Sequence, residues 1–414
     1  MKEWYLKYNL SIEWIFKVSV LLYFMLSFYY TLFLAECGGD ESLFLNDLLF
    51  IKTNGWIAAI EKSISIPYMI LAYPFSFFLD GYFSLKVANV LLLLLLLVYF
   101  FKVVTIKNSI FYIYLFFYLA TSRYFFAGTN DALFFTGLVV FITEVFYFIE
   151  NKKMNSPVLA FSGLIISFFS RELFLVYSPV VLLGFYFLFK NGFVFLNKRM
   201  QFPLVLFLFF MLFNSPSLLV KGKLSYDNKT PPSTTKVSWS QRQYLAQLLV
   251  NKGELPNFSH PSWEETQDYL KVNGSNSLPD GILDGMTFDY SMTITEFFKD
   301  FYYSMFFGVR QLGLVLLFPF YFIGINLKKT TVLNPMLFVP YSLVLMLSIF
   351  SLIIISYIEP RWYIAIFIVA IVFYNHYQLQ QKINYIFILV NYLIFICFSA
   401  YGIYGILHKH MELF

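Results

Sequence analysis

The chain has 414 residues, of which 59% are apolar, 22% aromatic and 13% charged, and its formal net charge is +5. Soluble domains usually carry about 25% charged residues, and repeated apolar runs of about 20 residues match the hydrocarbon thickness of a bilayer. These features exclude an ordinary soluble enzyme and a β-barrel, whose strands are short and alternate, and they predict an all-α polytopic membrane protein.

The first apolar run, near residues 15–35, is too long for a cleaved signal and is followed by no A-x-A-like site, so it reads as a retained first helix. Ten further spans are expected near 85–101, 108–126, 132–149, 157–172, 174–190, 202–220, 305–326, 332–357, 361–377 and 384–406, about eleven in all. Lys2, Lys7, Lys102, Lys107, Lys152, Lys153, Lys190, Lys198, Arg199, Lys328, Lys329 and Lys382 fall in loops on one side. The positive-inside rule makes that side, with the N-terminus, cytoplasmic.

The chain then divides into an N-terminal transmembrane module, 1–220, an extracytoplasmic loop subdomain, 221–304, and a C-terminal transmembrane module, 305–414. Within the first module, the outer loop 36–84 interleaves apolar and charged residues from Ser42 to Ile64, as interfacial helices do. The segment 221–304 is the one long polar stretch, with Pro-Pro at 231–232 and Asn-Gly and Asp-Gly turns. It is too short for a robust separate core. No internal repeat is visible, which counts against an inverted-repeat transporter.

The chemistry-bearing residues cluster at the expected outer ends of the spans. Glu36-Cys37-Gly38-Gly39-Asp40-Glu41 follows the first run. A carboxylate at such a position can act as general base toward an acceptor hydroxyl, or it can be a solvated loop acid. Arg123, Asn130 and Asp131 lie in the turn before the fourth span, where charges usually line a cavity or pair locally. Arg171 and Glu172 are adjacent in a very short turn, so they do not face each other; each needs another partner or water, or anchors the turn at the interface. Arg361, in Tyr357-Ile358-Glu359-Pro360-Arg361-Trp362-Tyr363, breaks the positive-inside pattern. Its guanidinium can grip a phosphate through two parallel hydrogen bonds or pair with Glu359.

No metal centre is expected. His260 and His376 fall on opposite sides of the membrane, His408 and His410 lie in a tail, and the two cysteines, Cys37 and Cys397, give no ligand framework. Oxygen ligands from Asp40 and Glu41 leave a divalent cation open there. Sequons at Asn228, Asn257 and Asn273 are on the outer side and matter only in a glycosylating host.

Taken in order, these segments resemble the GT-C membrane glycosyltransferases, in the branch of protein O-mannosyltransferases and lipid A aminoarabinose transferases. Asp40-Glu41-Ser42-Leu43-Phe44-Leu45 resembles that family's acidic first-loop motif. Pro67-Tyr68-Met69-Ile70 through Asp80-Gly81-Tyr82-Phe83-Ser84-Leu85-Lys86-Val87 is similar to its run into the second span, Arg123–Asp131 to its outer turn, and Glu359–Tyr363 to its late Arg-Tyr element. The chain departs from the family in Trp362, where tyrosine is usual, and in 221–304, which matches none of its segments.

The resemblance implies a GT-C-like bundle and inverting sugar transfer from a polyprenyl-phosphate donor to a lipid, glycan or protein acceptor outside the cytoplasm. Asp40 would be the base, with Glu41 and Asp131 orienting it or the acceptor. Arg123, Arg361 and Arg171 would hold the donor, beside Tyr363. A bacterial inner membrane is the simplest location. Two alternatives stay open. An O-antigen-type polymerase or ligase would work through Arg242, His260 or Arg310 in or beside the large loop. A lipid-linked sugar flippase or transporter would use charges within spans, for which Glu144 is the clearest candidate.

Overall fold

The computed structural model describes residues 2–33, 39–195, 197–226, 235–327 and 334–411. Glu36, Cys37, Gly38, the sequon at Asn228, Pro231–Pro232 and Lys328–Lys329 lie outside them, as do the side chains of Lys2, Lys7 and His410. Among the described residues every regular element is helical. In chain order these are α1 (Lys2–Phe33), α2 (Asp40–Lys62), α3 (Ile66–Ala72), α4 (Gly81–Val98), α5 (Ser109–Ser122) and α6 (Asp131–Asn151). Next come α7 (Pro157–Ser170), α8 (Phe174–Lys190), α9 (Gln201–Phe213), α10 (Ser215–Lys221), α11 (Trp239–Asn251) and α12 (Trp263–Asn273). The last six are α13 (Ile282–Phe288), α14 (Tyr290–Leu312), α15 (Leu317–Leu327), α16 (Phe338–Leu352), α17 (Ile364–Leu379) and α18 (Tyr385–Met411).

Six segments are long and apolar enough to cross a bilayer: Leu10–Phe33, Gly81–Val103, Asp131–Asn151, Pro335–Leu352, Pro360–Leu379 and Tyr385–Lys409. Two bent pairs, Lys198–Phe213 with Ser215–Lys221 at 48° and Tyr290–Val315 with Leu317–Asn326 at 77°, raise the number to eight. The chain is a multi-pass helical membrane protein. The expected spans at 108–126, 157–172 and 174–190 form helices of 14, 14 and 17 residues, short of the roughly 20 residues a perpendicular crossing needs.

The chain forms two compact units. The first comprises Met1–Asp227, Gly308–Leu343 and Ile364–Phe414. Its centre is α6, apolar on every face and buried along nearly its whole length, as a helix without a polar face must be. α7, α8 and α17 pack on it, and α1 packs against α5 and α18. At the rim of this unit, α1 exposes Leu10, Trp14, Leu21, Met25 and Tyr29, and α18 exposes Ile386, Val390, Leu393, Tyr401 and Tyr404. Apolar side chains turned outward suit a lipid solvent.

Small residues let α6 and α7 approach closely, as in membrane helix packing generally. A Cβ at Gly137 would lie 2.2 Å from the Gly163 carbonyl oxygen and 2.3 Å from Ser167 Oγ. The carbonyl belongs to helix backbone and has no room to retreat. Gly137→Ala therefore destabilises the fold by about 1–3 kcal/mol, the usual cost of overpacking. A lowered thermal midpoint in detergent checks this.

The second unit comprises Asn228–Phe307 and Val344–Tyr363. The expected loop subdomain ended at 304 and left 344–363 in the C-terminal module. In the structure Ile354 joins a small core with Tyr244, Leu245 and Leu278, Ser356 bonds to His260, and Tyr363 bonds to Ser304. α11 and α12 each begin with a capping box, at Ser238 with Gln241 and at Ser262 with Glu265. Each box satisfies two backbone donors at its helix start.

Candidate functional site

Residues 127–131, between α5 and α6, are the meeting point of the first unit's polar groups. α2 begins at Asp40, directly after Gly39, whose φ of 81° is open to glycine at little cost. The start of a helix favours negative charge, and Asp40 and Glu41 occupy its first turn. Glu41 is buried and accepts the Gly128 N–H through Oε1. A Cβ at Gly128 would fall 2.7 Å from Leu85 Cβ and 3.2 Å from Glu41 Oε1, so only glycine lets the loop lie this close to α2 and α4. Asp40, one residue before Glu41, is half-buried.

Asn89 of α4, fully buried, holds the same loop by its backbone. Its Nδ2 donates to the Ala127 carbonyl and, at 2.8 Å, to that of Thr129. Thr129 Oγ1 donates to Asp131 Oδ2 at 3.1 Å. Asp131, the first residue of α6 and 1% exposed, forms an ion pair with Arg171 in the turn between α7 and α8. That turn is tied in twice more: Asn130 Nδ2 and Ser65 Oγ both donate to the Ser170 carbonyl, at 3.3 and 2.8 Å. Arg171 thus pairs with Asp131 rather than with its neighbour Glu172.

Arg123 caps α5 in the left-handed region, with φ of 62°, and its guanidinium lies 5.6 Å from the Tyr30 ring centroid. A cation over an aromatic face is attracted by the ring quadrupole. Of the residues expected to act together, Glu41, Asp131 and Arg171 converge on the 127–131 loop, with Asp40 next to Glu41.

Arg361 and Tyr363 belong to the second unit. Arg361 is buried and pairs with Glu359. Tyr363 is 1% exposed, with its hydroxyl 2.8 Å from Ser304 Oγ. Arg242 donates from Nε to the Pro261 carbonyl at 2.7 Å and stacks on Trp263 at 4.8 Å. Burial pulls its pKa down from the usual guanidinium value, and nearby Glu264 opposes that shift. His260 is exposed, with Nδ1 2.8 Å from Ser356 Oγ.

Glu144, in the first unit, accepts from Tyr99 OH at 2.9 Å and from the Ser156 N–H at 3.0 Å. It therefore helps satisfy the backbone where α7 begins, a structural use of an intramembrane acid. Among the described residues no group of three or more His, Cys, Asp or Glu side chains is placed to hold a metal ion.

Sequence reasoning passed over Asn89 and took Lys86 only as the basic residue of the run into the second span. Both lie in an otherwise apolar run, a costly position for a polar group and a usable signal. Lys86 is 1% exposed and donates to the Thr31 carbonyl at 3.2 Å. Gly128 carried a weaker signal, as a lone glycine between aromatic and polar residues.

Glu41, Asn89, Asn130, Asp131 and Arg171 thus form a network at the ends of α2, α6 and α7, with a half-buried acid, Asp40, at its edge. Scans against protein-family models, curated proteins and solved structures find no match to the chain.

Proposed function

We propose that the chain is an integral-membrane glycosyltransferase of the GT-C type. It transfers a sugar from a polyprenyl-phosphate donor to an acceptor on the extracytoplasmic face, with inversion. The observation that carries this reading is the anchoring of Glu41 to Gly128. That bond fixes the first turn of α2 and presents Asp40, half-buried, next to a loop stitched by the Asp131–Arg171 pair. A general base needs this combination of a fixed backbone and an accessible carboxylate.

In this reading Asp40 takes the proton of the acceptor hydroxyl as its oxygen attacks the anomeric carbon. The bond from that carbon to the donor phosphate breaks on the opposite face, and polyprenyl phosphate departs. Arg123 is the candidate to hold the phosphate. Arg171 and Asp131 keep the loop in place. Asp40 and Glu41 are the groups that would contact a divalent cation, should transfer require one.

Of the four shorter apolar helical segments, taking α5, α7 and α8 as spans and Ile66–Phe77 as interfacial matches the eleven spans expected from run length and flanking charge. The basic loops then put the N-terminus in the cytoplasm, most simply at a bacterial inner membrane.

The test is transfer from a radiolabelled polyprenyl-phosphate sugar pool in membranes, comparing wild type with Asp40→Asn at matched expression. Loss of transfer with a normal thermal midpoint supports the assignment. Full activity sinks it and moves the search to Arg242, His260 and Arg310.

A further inference from the structure

α14 is an amphipathic helix whose polarity is reversed. Its exposed face carries Tyr290, Ile294, Phe298, Tyr302 and Phe306, each between 49% and 73% exposed and each four residues from the next. At 3.6 residues per turn such a row forms one continuous stripe. Phe297, Phe301 and Met305, half-buried, lie along its edge.

The opposite face is polar and turned inward. Thr293, Glu296 and Ser304 are buried there, and Asp300 is half-buried. Glu296 accepts from Gln247 Nε2 and Asn251 Nδ2, both at 2.9 Å, and from Lys299 Nζ at 2.8 Å. Thr293 Oγ1 donates to the Met286 carbonyl at 3.0 Å, and Ser304 Oγ lies 2.8 Å from Tyr363 OH. In water an amphipathic helix buries its apolar stripe and exposes its polar one. The order on α14 is the one that a hydrocarbon solvent selects.

We infer that the Tyr290–Phe306 face of α14 lies against the lipid of the bilayer, so that the second unit is itself membrane-embedded along this helix rather than a loop held in the aqueous phase. Continuity favours lipid over a protein partner. Tyr290–Val315 and Leu317–Asn326 together have the apolarity of a span, and the four-residue spacing of exposed apolar side chains resumes at Leu317, Tyr321 and Ile325. A docking patch for a protein is bounded by a polar rim on all sides, whereas this stripe is followed, past the exposed Arg310 and a 77° bend, by a further apolar helix. Tyr290 and Tyr302 carry the ring-plus-hydroxyl chemistry found at lipid–water boundaries. This inference holds or fails independently of the proposed glycosyl transfer.

The test uses the full chain with Cys37→Ser and Cys397→Ser, reconstituted in vesicles of phosphatidylcholine and phosphatidylglycerol. Nitroxide labels are placed singly through Ile294→Cys, Phe298→Cys and Tyr302→Cys, with Asp268→Cys on the exposed face of α12 as the aqueous control. The expected result is collision with oxygen exceeding collision with a water-soluble nickel complex several-fold at the three stripe positions, and the reverse at position 268. Nickel access at the stripe equal to that at 268 overturns the inference in favour of water. Low access to both reagents, with spin–spin broadening that depends on protein density, overturns it in favour of a second copy.

Should a label disturb folding, the unmutated protein gives an independent reading through a photoactivated diazirine phospholipid. Adducts on residues 290–306 are expected. Adducts on α18 without any on 290–306 overturn the inference.

Discussion

Asp40→Asn lowers the rate of sugar transfer about 10²–10⁴-fold, the range that removal of a positioned general base costs, while the protein folds and inserts normally. The substitution keeps the shape of the side chain and removes the charge. Glu41, not Asp40, accepts the Gly128 N–H that ties α2 to the 127–131 loop, so the loop keeps its anchor. The loss of charge in the first turn of α2 removes a favourable helix-terminus interaction of about 0.3–1 kcal/mol. The separation of rate from stability is the informative part. A merely solvated loop acid gives neither effect, whereas an acid that holds the loop gives both. Transfer rate and thermal midpoint measured on the same preparation therefore distinguish the three roles. Glu41→Gln is the paired control. It weakens the anchor to Gly128 and lowers the midpoint together with the rate.

The membrane class was legible because it rests on run length and charge content, which need no tertiary information. The acid pair at Asp40-Glu41 was legible for the same reason, since it ends an apolar run abruptly. The partner of Arg171 was not. Adjacency to Glu172 left a partner, water or the interface open, and Asp131 is brought to it by the packing of α6 on α7, which depends on the close approach at Gly137 and Gly163. Asn89 and Lys86 were visible as polar residues in an apolar stretch, yet mean hydropathy averages them away. α14 misled in the opposite sense. Thr293, Glu296, Asp300 and Ser304 lower its mean hydropathy, and only the four-residue spacing from Tyr290 onward reveals the apolar face. The second unit's use of 344–363 was hidden because Ile354 and Tyr363 read as the end and the start of spans, while in the structure they serve the core and the hydrogen bonding of the 228–307 region.

Breaking the Asp131–Arg171 pair from either side destabilises the protein by about 3–5 kcal/mol, because each single substitution leaves an uncompensated charge in a buried setting. The two sides are not equivalent. The Asp131 side chain is 1% exposed and that of Arg171 22%, so Arg171→Ala strands the more deeply buried charge and is the more damaging change. In Asp131→Ala the guanidinium retains some access to water, and Thr129 loses the acceptor for its hydroxyl. The double variant removes both charges and costs much less than the sum of the two singles, since a buried pair replaced whole by apolar groups is often near neutral. A double-mutant cycle on unfolding in detergent reads the coupling directly. The two turns are also joined through Asn130 to the Ser170 carbonyl, which Ser65 ahead of α3 holds as well, and these contacts remain in the double variant. Transfer activity in that variant consequently survives in proportion to its recovered stability if the pair serves to position the loop. An inactive but stable double variant instead assigns Arg171 to the donor phosphate. Strictly additive singles would show that water already screens the pair and that Asn89, Glu41 and Asn130 hold the 127–131 loop without it.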